Sequence, residues 1–509
     1  MTPSDADTSD EKGKMDLLES KPSSEARSET QVAEPAPKVH FSILSCLGVN
    51  FSISATPLAI GTYLALSIGT GGPPFFFYEF VFAGIGQIIL CVALAELASS
   101  FPHSLGPAHW VAVLGPKRYG RQLGYIMGWL TNACWFFICA ASYLFLSQLT
   151  MAIIEATIPS YAPKTWHTYL LYIGFALNGL LVNLPGAFKM LSWSLKAAVF
   201  FINGSAVFVF VSLLVRASPK QSARTVFVDV VNETGWSSNV VVFFLCILPG
   251  VAGVGGLDSA PHLTDEVDNP KKQIPQVMIG SALLSFFTGI PSILIYLFCN
   301  TNPEALIAPV GGQPLIQLFL DAYNSKALTV LASVCVIITF NIAAWSALTS
   351  WSRLYWAFSK DGGLPFSKLT ARLSSSHSFP INALLVNTGL LIAIGAIQLG
   401  STTALNALLG GASLCGKTSW ALSIALLLWR GRDTLDEDRW LKLGRFGYVI
   451  DVLAVFWAVW VCVWISFPLY IPVTAPSMNY AAVVFAGVSL IGTVYYFTAY
   501  RGRTQPGQI

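Results

Sequence analysis

The sequence predicts an all-α polytopic membrane protein with about twelve transmembrane helices. Three observations predict it. Of its 509 residues, 54% are hydrophobic and only 11% are charged, whereas a soluble domain carries about 25% charged side chains. Apolar runs near the roughly 20 residues needed to cross a bilayer recur along the chain. Two of these runs break into glycine, proline and hydroxyl residues at places five spans apart. The mean hydropathy of +0.62 agrees, and the lipid bilayer is the expected surrounding. A net charge of +3, with no Lys/Arg cluster interleaved with aromatics, excludes a nucleic-acid partner.

Residues 1–38 are polar, rich in Ser, Glu, Asp and Lys, and lack the apolar core of a signal peptide. They read as a disordered cytosolic tail. Twelve spans follow near 43–68, 74–99, 123–150, 168–186, 190–215, 239–260, 274–299, 326–356, 380–399, 403–428, 448–470 and 478–499. The boundary between the fourth and fifth rests on Pro185, Gly186 and Lys189 alone. Residues 501–509 form a short C-terminal tail. The loops after even-numbered spans hold Lys117, Arg118, Arg121, Lys271, Lys272, Lys360, Lys368, Arg430, Arg432 and Arg439, while those after odd-numbered spans are nearly free of Lys and Arg. The positive-inside bias puts both termini in the cytosol. The nine cysteines lie in or beside apolar spans without a CxxC spacing. They read as small packing side chains, and no metal site is expected.

The first span contains Asn50 to Pro57, NFSISATP. Proline removes a backbone donor and clashes with the carbonyl four residues back, so the helix breaks there. The sixth span ends in PGVAGVGGLDSAPHLTDEVDNPKKQIP, residues 249–275, where an apolar run dissolves into glycines and then shows an acid. Unpaired main-chain groups cost several kcal/mol each within a bilayer unless they line a cavity or protein interior. One such segment is an ordinary packing face. A pair at matched positions of two five-helix halves points to an inverted repeat with a binding site at the midplane.

Four motifs then carry a family resemblance: AELASSFPHSLGPAHW at 95–110, GLDSAPHLTDEVDNPKKQIP at 256–275, SRLYWAFSKDGGLPFS at 352–367, and the stretch from Leu443 to Tyr480 with its Phe-Pro, Pro-Val-Thr and Met-Asn-Tyr. From about residue 40 to 500 the chain resembles a permease of the amino acid–polyamine–organocation (APC) superfamily. It is most similar to the fungal branch of GABA, amino-acid and choline permeases. The resemblance implies a 5+5 inverted repeat (about 43–215 and 239–428) with two extra helices (about 448–499), in a transporter domain spanning 39–500. It implies a substrate held by the unwound helices 1 and 6, with helices 3, 8 and 10 completing the pocket. It also implies alternating access, driven in fungi by a proton gradient, with no other cofactor.

A zwitterion needs partners for its carboxylate and its amine, and broken half-helices supply N–H groups and carbonyls for both. The candidates are Ser52, Ser54, Ala55 and Thr56 in helix 1, and Gly250, Gly253, Val254, Gly255 and Gly256 in helix 6. Many members of the branch carry a tryptophan in each break, where this chain has Pro57 and Ala252. A reshaped pocket and a substrate other than GABA are expected. Asp258 matches the family's helix-6 acid and is a proton-coupling candidate; a helix cap or ion-pair partner is the alternative. His262, Asp265 and Glu266 are expected in gating contacts. Lys417 stands inside the tenth span, where a charge is costly. It would bind a substrate carboxylate, replace a bound cation, pair with an acid such as Glu79, or snorkel to water. Glu96, Arg353, Lys360 and Asp361 read together as an inner-gate charge network. Asn232-Glu233-Thr234 is a weak glycosylation sequon in an external loop.

The leading function is therefore a secondary active transporter importing an amino acid or related amine with protons. An exchanger or exporter of a metabolite would share every motif. A sensor that binds without transport is the reading from another class, and no Ser/His/Asp set, phosphate loop or metal cluster supports an enzyme. The plasma membrane is the expected location ahead of the vacuolar membrane.

Overall fold

The computed structural model describes residues 41–501 except 159, 375–378, 400–403 and 476. The tail expected over 1–38 and nearly all of 501–509 lie outside the described residues. Among the described residues, ten helices are long and apolar enough to cross a membrane. With the eighteen-residue Thr165–Val182 and the interrupted Asn239–Gly253 they make the twelve spans. We label them α1 (Ile43–Ser67), α2 (Gly72–Ser100), α3 (Gly120–Thr157), α4 (Thr165–Val182), α5 (Phe188–Arg216), α6 (Asn239–Gly253), α7 (Pro270–Phe298), α8 (Lys326–Lys360), α9 (Ile381–Gly395), α10 (Ala404–Arg430), α11 (Gly447–Ser466) and α12 (Ala481–Tyr495).

α1 starts at Ser42, whose hydroxyl accepts the Ser45 N–H, an ordinary N-cap. Its regular part stops at Ser54, and Ala55 turns left-handed at φ 40°. Pro57 explains the position: its ring rejects a helical carbonyl at Ile53 but suits the first turn of a new helix. The chain restarts as Thr56–Ala59 and tightens into a 3₁₀ turn over Ile60–Ser67. α6 ends at Gly253, runs without helical structure from Val254 to Ala260, and resumes as a short 3₁₀ turn over Pro261–Glu266. Gly256 supplies the left-handed residue there, at φ 64°, which glycine adopts without steric cost. The α4–α5 division falls at Asn183, whose amide donates to Gly179 O and accepts from Thr349 Oγ1.

The packing repeats with a shift of five. α2 packs on α7, α3 on α8 and α4 on α9. The α1–α7 contact has its counterpart in α6–α2, and α5–α8 in α10–α3. That pattern is the one a 5+5 repeat produces. α1 is central, with 72% of its apolar window buried, against 11% for α12; α11 and α12 therefore flank the bundle. Close approach at the centre depends on small residues. A Cβ on Gly48 would meet the Leu195 carbonyl of α5 at 1.9 Å.

Candidate functional site

The two breaks are stitched together. Thr56 Oγ1 donates to the Gly253 carbonyl. Tyr296 of α7 donates to the Pro57 carbonyl at 2.8 Å, holding the restart of α1. Asn50, one turn before the first break, donates to Ser281 of α7 and accepts from Ser259 and from the Ala260 N–H beyond the second. Asn50, Ser259 and Ser281 are all buried, where an unpaired amide would be costly.

A cavity of about 130 Å³ opens beside the breaks. Ser54, Ala55, Ala252, Gly253, Gly255 and Gly256 line it, with Lys417 and Trp420 from α10 and side chains from α3 and α8. Ser52, Thr56, Gly250 and Val254 stand behind that lining. Ser52 bonds Ser346 of α8 at 2.7 Å and the Val49 carbonyl at 3.1 Å. Ser54 reaches the lining but turns its hydroxyl to Ser285 and to Phe51 O. Gly250 packs against Ala83 and the carboxylate of Glu79. The helix-1 and helix-6 candidates thus divide into a lining group and a group that fixes the break.

Lys417 neither pairs with Glu79 nor snorkels to the surface. It is 2% exposed, and its Nζ donates to Gln87 Oε1 of α2 at 2.6 Å while lying 4.3 Å from the centre of the Trp420 ring. Glu79 sits elsewhere, against Gly250. Gln87 was not singled out from the sequence, yet it organises the site. Its Nε2 donates to Val251 O at 2.9 Å and Val254 O at 2.8 Å, capping carbonyls released by the break in α6. Its Oε1 also accepts from Trp457 Nε1 of α11 at 3.2 Å. A lone amide in the apolar run GIGQIIL is the signal that finds it.

Asp258 is buried beyond the break and accepts from Trp420 Nε1 at 3.0 Å. Its second oxygen, Oδ1, has no partner among the described residues. His262 lies one turn on, with Nε2 at 3.6 Å from Asp258 Oδ2 and Nδ1 at 2.9 Å from the Ser104 carbonyl. A carbonyl only accepts, so Nδ1 carries the proton, and a neutral imidazole then turns a bare Nε2 toward the carboxylate.

The expected inner-gate network is two separate networks. Arg353 of α8 pairs with Glu266 at the α6 exit, Nε to Oε1 2.9 Å, and lies over Phe379 at 4.6 Å. Glu96 of α2 instead binds Arg432 and Arg439 in the α10–α11 loop, and Arg432 also reaches Asp451 of α11. Asp361 caps the C-terminus of α8. Asp265 is exposed beside the buried Glu266. The Asn232 amide donates to Trp236 O and to Asn239, and its oxygen accepts from Thr234.

Two broken helices meeting at one cavity inside a twelve-span bundle define the architecture of a membrane permease. The chain belongs to the amino acid permease family, whose model matches residues 41–488. It is 27% identical to the choline transporter of Saccharomyces cerevisiae, over 91% of this chain and 82% of that protein. Amino-acid permease 2 of Neurospora crassa is 26% identical, over 91% and 85%. Amino-acid permease BAT1 of Arabidopsis thaliana is 26% identical, over 92% and 93%.

Proposed function

We propose that the protein is a secondary active transporter that imports an amino acid or a related amine by alternating access. The observation that carries this reading is the meeting of the two left-handed break residues, Ala55 and Gly256, in the lining of one cavity. A site built from interrupted main chain suits alternate exposure to the two sides, because rocking one half of the bundle against the other opens it without unfolding a helix. The relatives' names include amino acids and choline, which supports a small amine or zwitterion as the substrate. The plasma membrane is the proposed location.

The proposed energy source is the proton gradient, with no other cofactor. Support comes from Asp258 and His262. With Nδ1–H committed to Ser104, the lone pair of Nε2 and the carboxylate repel until one proton enters between them. Lys417 on α10 and Cys134 on α3 are further titratable groups whose charge is coupled to that of Asp258. The pair joins the α6 exit, the α2–α3 loop and Trp420, so its protonation bears on elements that alternating access would move.

The test is uptake by purified protein in proteoliposomes. Radiolabelled amino acids, GABA, choline and polyamines are screened with and without an inward proton gradient. Gradient-driven accumulation is expected, together with loss of the gradient dependence in Asp258→Asn. Movement only against counter-substrate would make the protein an exchanger, and binding without flux would make it a sensor.

A further inference from the structure

At the end where α6 breaks, several of the carbonyls released beside the cavity are already engaged. Gln87 has filled its bonding capacity, with two acceptances and two donations. The carbonyls of Val251 and Val254 are taken by Gln87, and that of Gly253 by Thr56. These are the groups an organic cation would seek at the C-terminal end of a half-helix. Among the aromatic faces of the lining, which also include Tyr63, Phe145 and Phe340, that of Trp420 is already occupied by Lys417. Donors remain open. An ammonium has three N–H bonds, and Lys417 spends one on Gln87 and turns toward the indole face with another. No acid among the described residues pairs with it, since Asp258 accepts from the indole N–H instead. The backbone N–H groups of Gly255 and Gly256 have no backbone acceptor among the described residues either. Lys417 is the one charged side chain among the described residues that line the cavity.

Resting on the transport reading above, we propose that Lys417 is a charge filter. Its ammonium fills the aromatic face of Trp420, repels a second cation from the cavity and pairs with the carboxylate of the substrate, so the cavity selects carboxylate-bearing substrates and rejects quaternary amines such as choline. A buried ammonium is unfavourable when the carboxylate whose charge reaches it, Asp258, makes no direct pair with it. A substrate carboxylate supplies that pair, whereas a quaternary ammonium adds a second positive charge beside the first.

The test compares wild type, Lys417→Met and Lys417→Arg in detergent by ligand-induced thermal stabilisation. The probes are the common L-amino acids, 4-aminobutyrate, butyrate and choline. Wild type should respond to at least one carboxylate-bearing compound and not to choline. In Lys417→Met that compound should bind at least about tenfold more weakly, the loss of a charge-assisted contact, and choline binding should appear. Lys417→Arg should still exclude choline. Wild-type binding of choline as tight as that of any carboxylate, or no response to any carboxylate, overturns the filter without recourse to a variant. So does Lys417→Met with unchanged selectivity. The same protein in proteoliposomes separates the two readings. Carboxylates that bind but never cross would refute transport and leave the filter standing, whereas choline uptake by wild type would refute the filter and leave transport standing.

Discussion

Replacing Glu266 with glutamine removes the counter-charge of a guanidinium that is 2% exposed and is itself matched to a carboxylate 1% exposed. Breaking a buried pair from one side costs about 3–5 kcal/mol, because the remaining charge stays desolvated. Glutamine keeps one hydrogen-bond acceptor, and Arg353 keeps Phe379 at 4.6 Å and Ser352 Oγ at 3.0 Å, so the lower end of that range, about 3 kcal/mol, applies. If the pair holds the α6 exit against α8, that cost is relieved when the exit opens. At 1.4 kcal/mol per factor of ten, the open population rises by about a hundredfold. Cys46 is the reporter. The Phe41 N–H donates to the Glu266 carbonyl at 2.8 Å, and Cys46, in the first turns of α1 beyond it, is 1% exposed. Its reaction with a membrane-impermeant maleimide, read by peptide mass spectrometry, tracks the open population when reclosing outpaces labelling. The expected result is labelling about a hundredfold faster in Glu266→Gln than in wild type. Unchanged labelling of Cys46 alongside a lowered melting temperature would refute the gate and leave the pair as a structural lock.

Three further outcomes follow from the same contacts. Ala252→Trp places an indole in a cavity of about 130 Å³ and should narrow the range of accepted substrates in competition binding; an unchanged range would remove Ala252 from the pocket. Gln87→Leu orphans the carbonyls of Val251 and Val254 and the Lys417 ammonium, and at about 1–3 kcal/mol for each buried unsatisfied group it should lower the melting temperature clearly more than a leucine elsewhere on α2. His103 and His109 stack at 4.2 Å in the α2–α3 loop and the short helix that follows it. Burial and then the charge of Lys360 push His103 down to about 4, and burial and then His103 push His109 down to about 3. The unfolded chain therefore binds protons between about pH 6.5 and pH 4 that the folded chain refuses, so stability is complete above that window and falls as the pH drops through it. His109→Phe should flatten the fall in melting temperature between pH 7 and pH 4; an unaltered slope would mean that other groups take up those protons.

What the sequence discloses and what it hides divide along the range of the forces involved. The breaks are legible because proline and glycine act on their own backbone neighbours. Pro57 dictates an interruption within a turn of Ile53, and the glycines of 250–256 cannot sustain a helix through an acid. Even so, Pro57 stands in the first turn of the restart, and Ala55 takes the left-handed angle. The spans are legible because each must satisfy its own backbone in lipid. The partners of charged groups are not legible. Glu96 meets Arg432 from 336 residues away, and no local pattern separates that pairing from one with Arg353. Lys417 shows the same limit. Its cost in a span announces a partner, but Gln87, 330 residues distant, is fixed only when α2 and α10 pack.

These pairings also specify which helices are tied together. α2 is bound to the α10–α11 region at two depths, through Gln87 to Lys417 and Trp457 near the breaks and through Glu96 to Arg432 and Arg439 beyond them. The α6 exit is bound elsewhere, to α8 through Arg353 and to α1 through Asn50. Gln87 joins the two sets at the centre, since it holds Lys417 with one end and the released α6 carbonyls with the other, beside the Trp420–Asp258 hydrogen bond from α10 to the α6 exit. A carboxylate that draws the Lys417 ammonium toward itself must therefore lengthen the Gln87 contact or carry that amide with it. In either case the cap on Val251 and Val254 weakens, and the α6 break loses the side chain that fixes it. A ligand that displaces Lys417 would in this way couple occupancy of the cavity to the freedom of α6 through two hydrogen bonds. For that reason Gln87→Glu, which loses both amide donations and gives Lys417 a counter-charge of its own, should weaken the binding of carboxylate-bearing ligands while releasing the α6 exit, and Cys46 labelling in that variant should rise even without ligand.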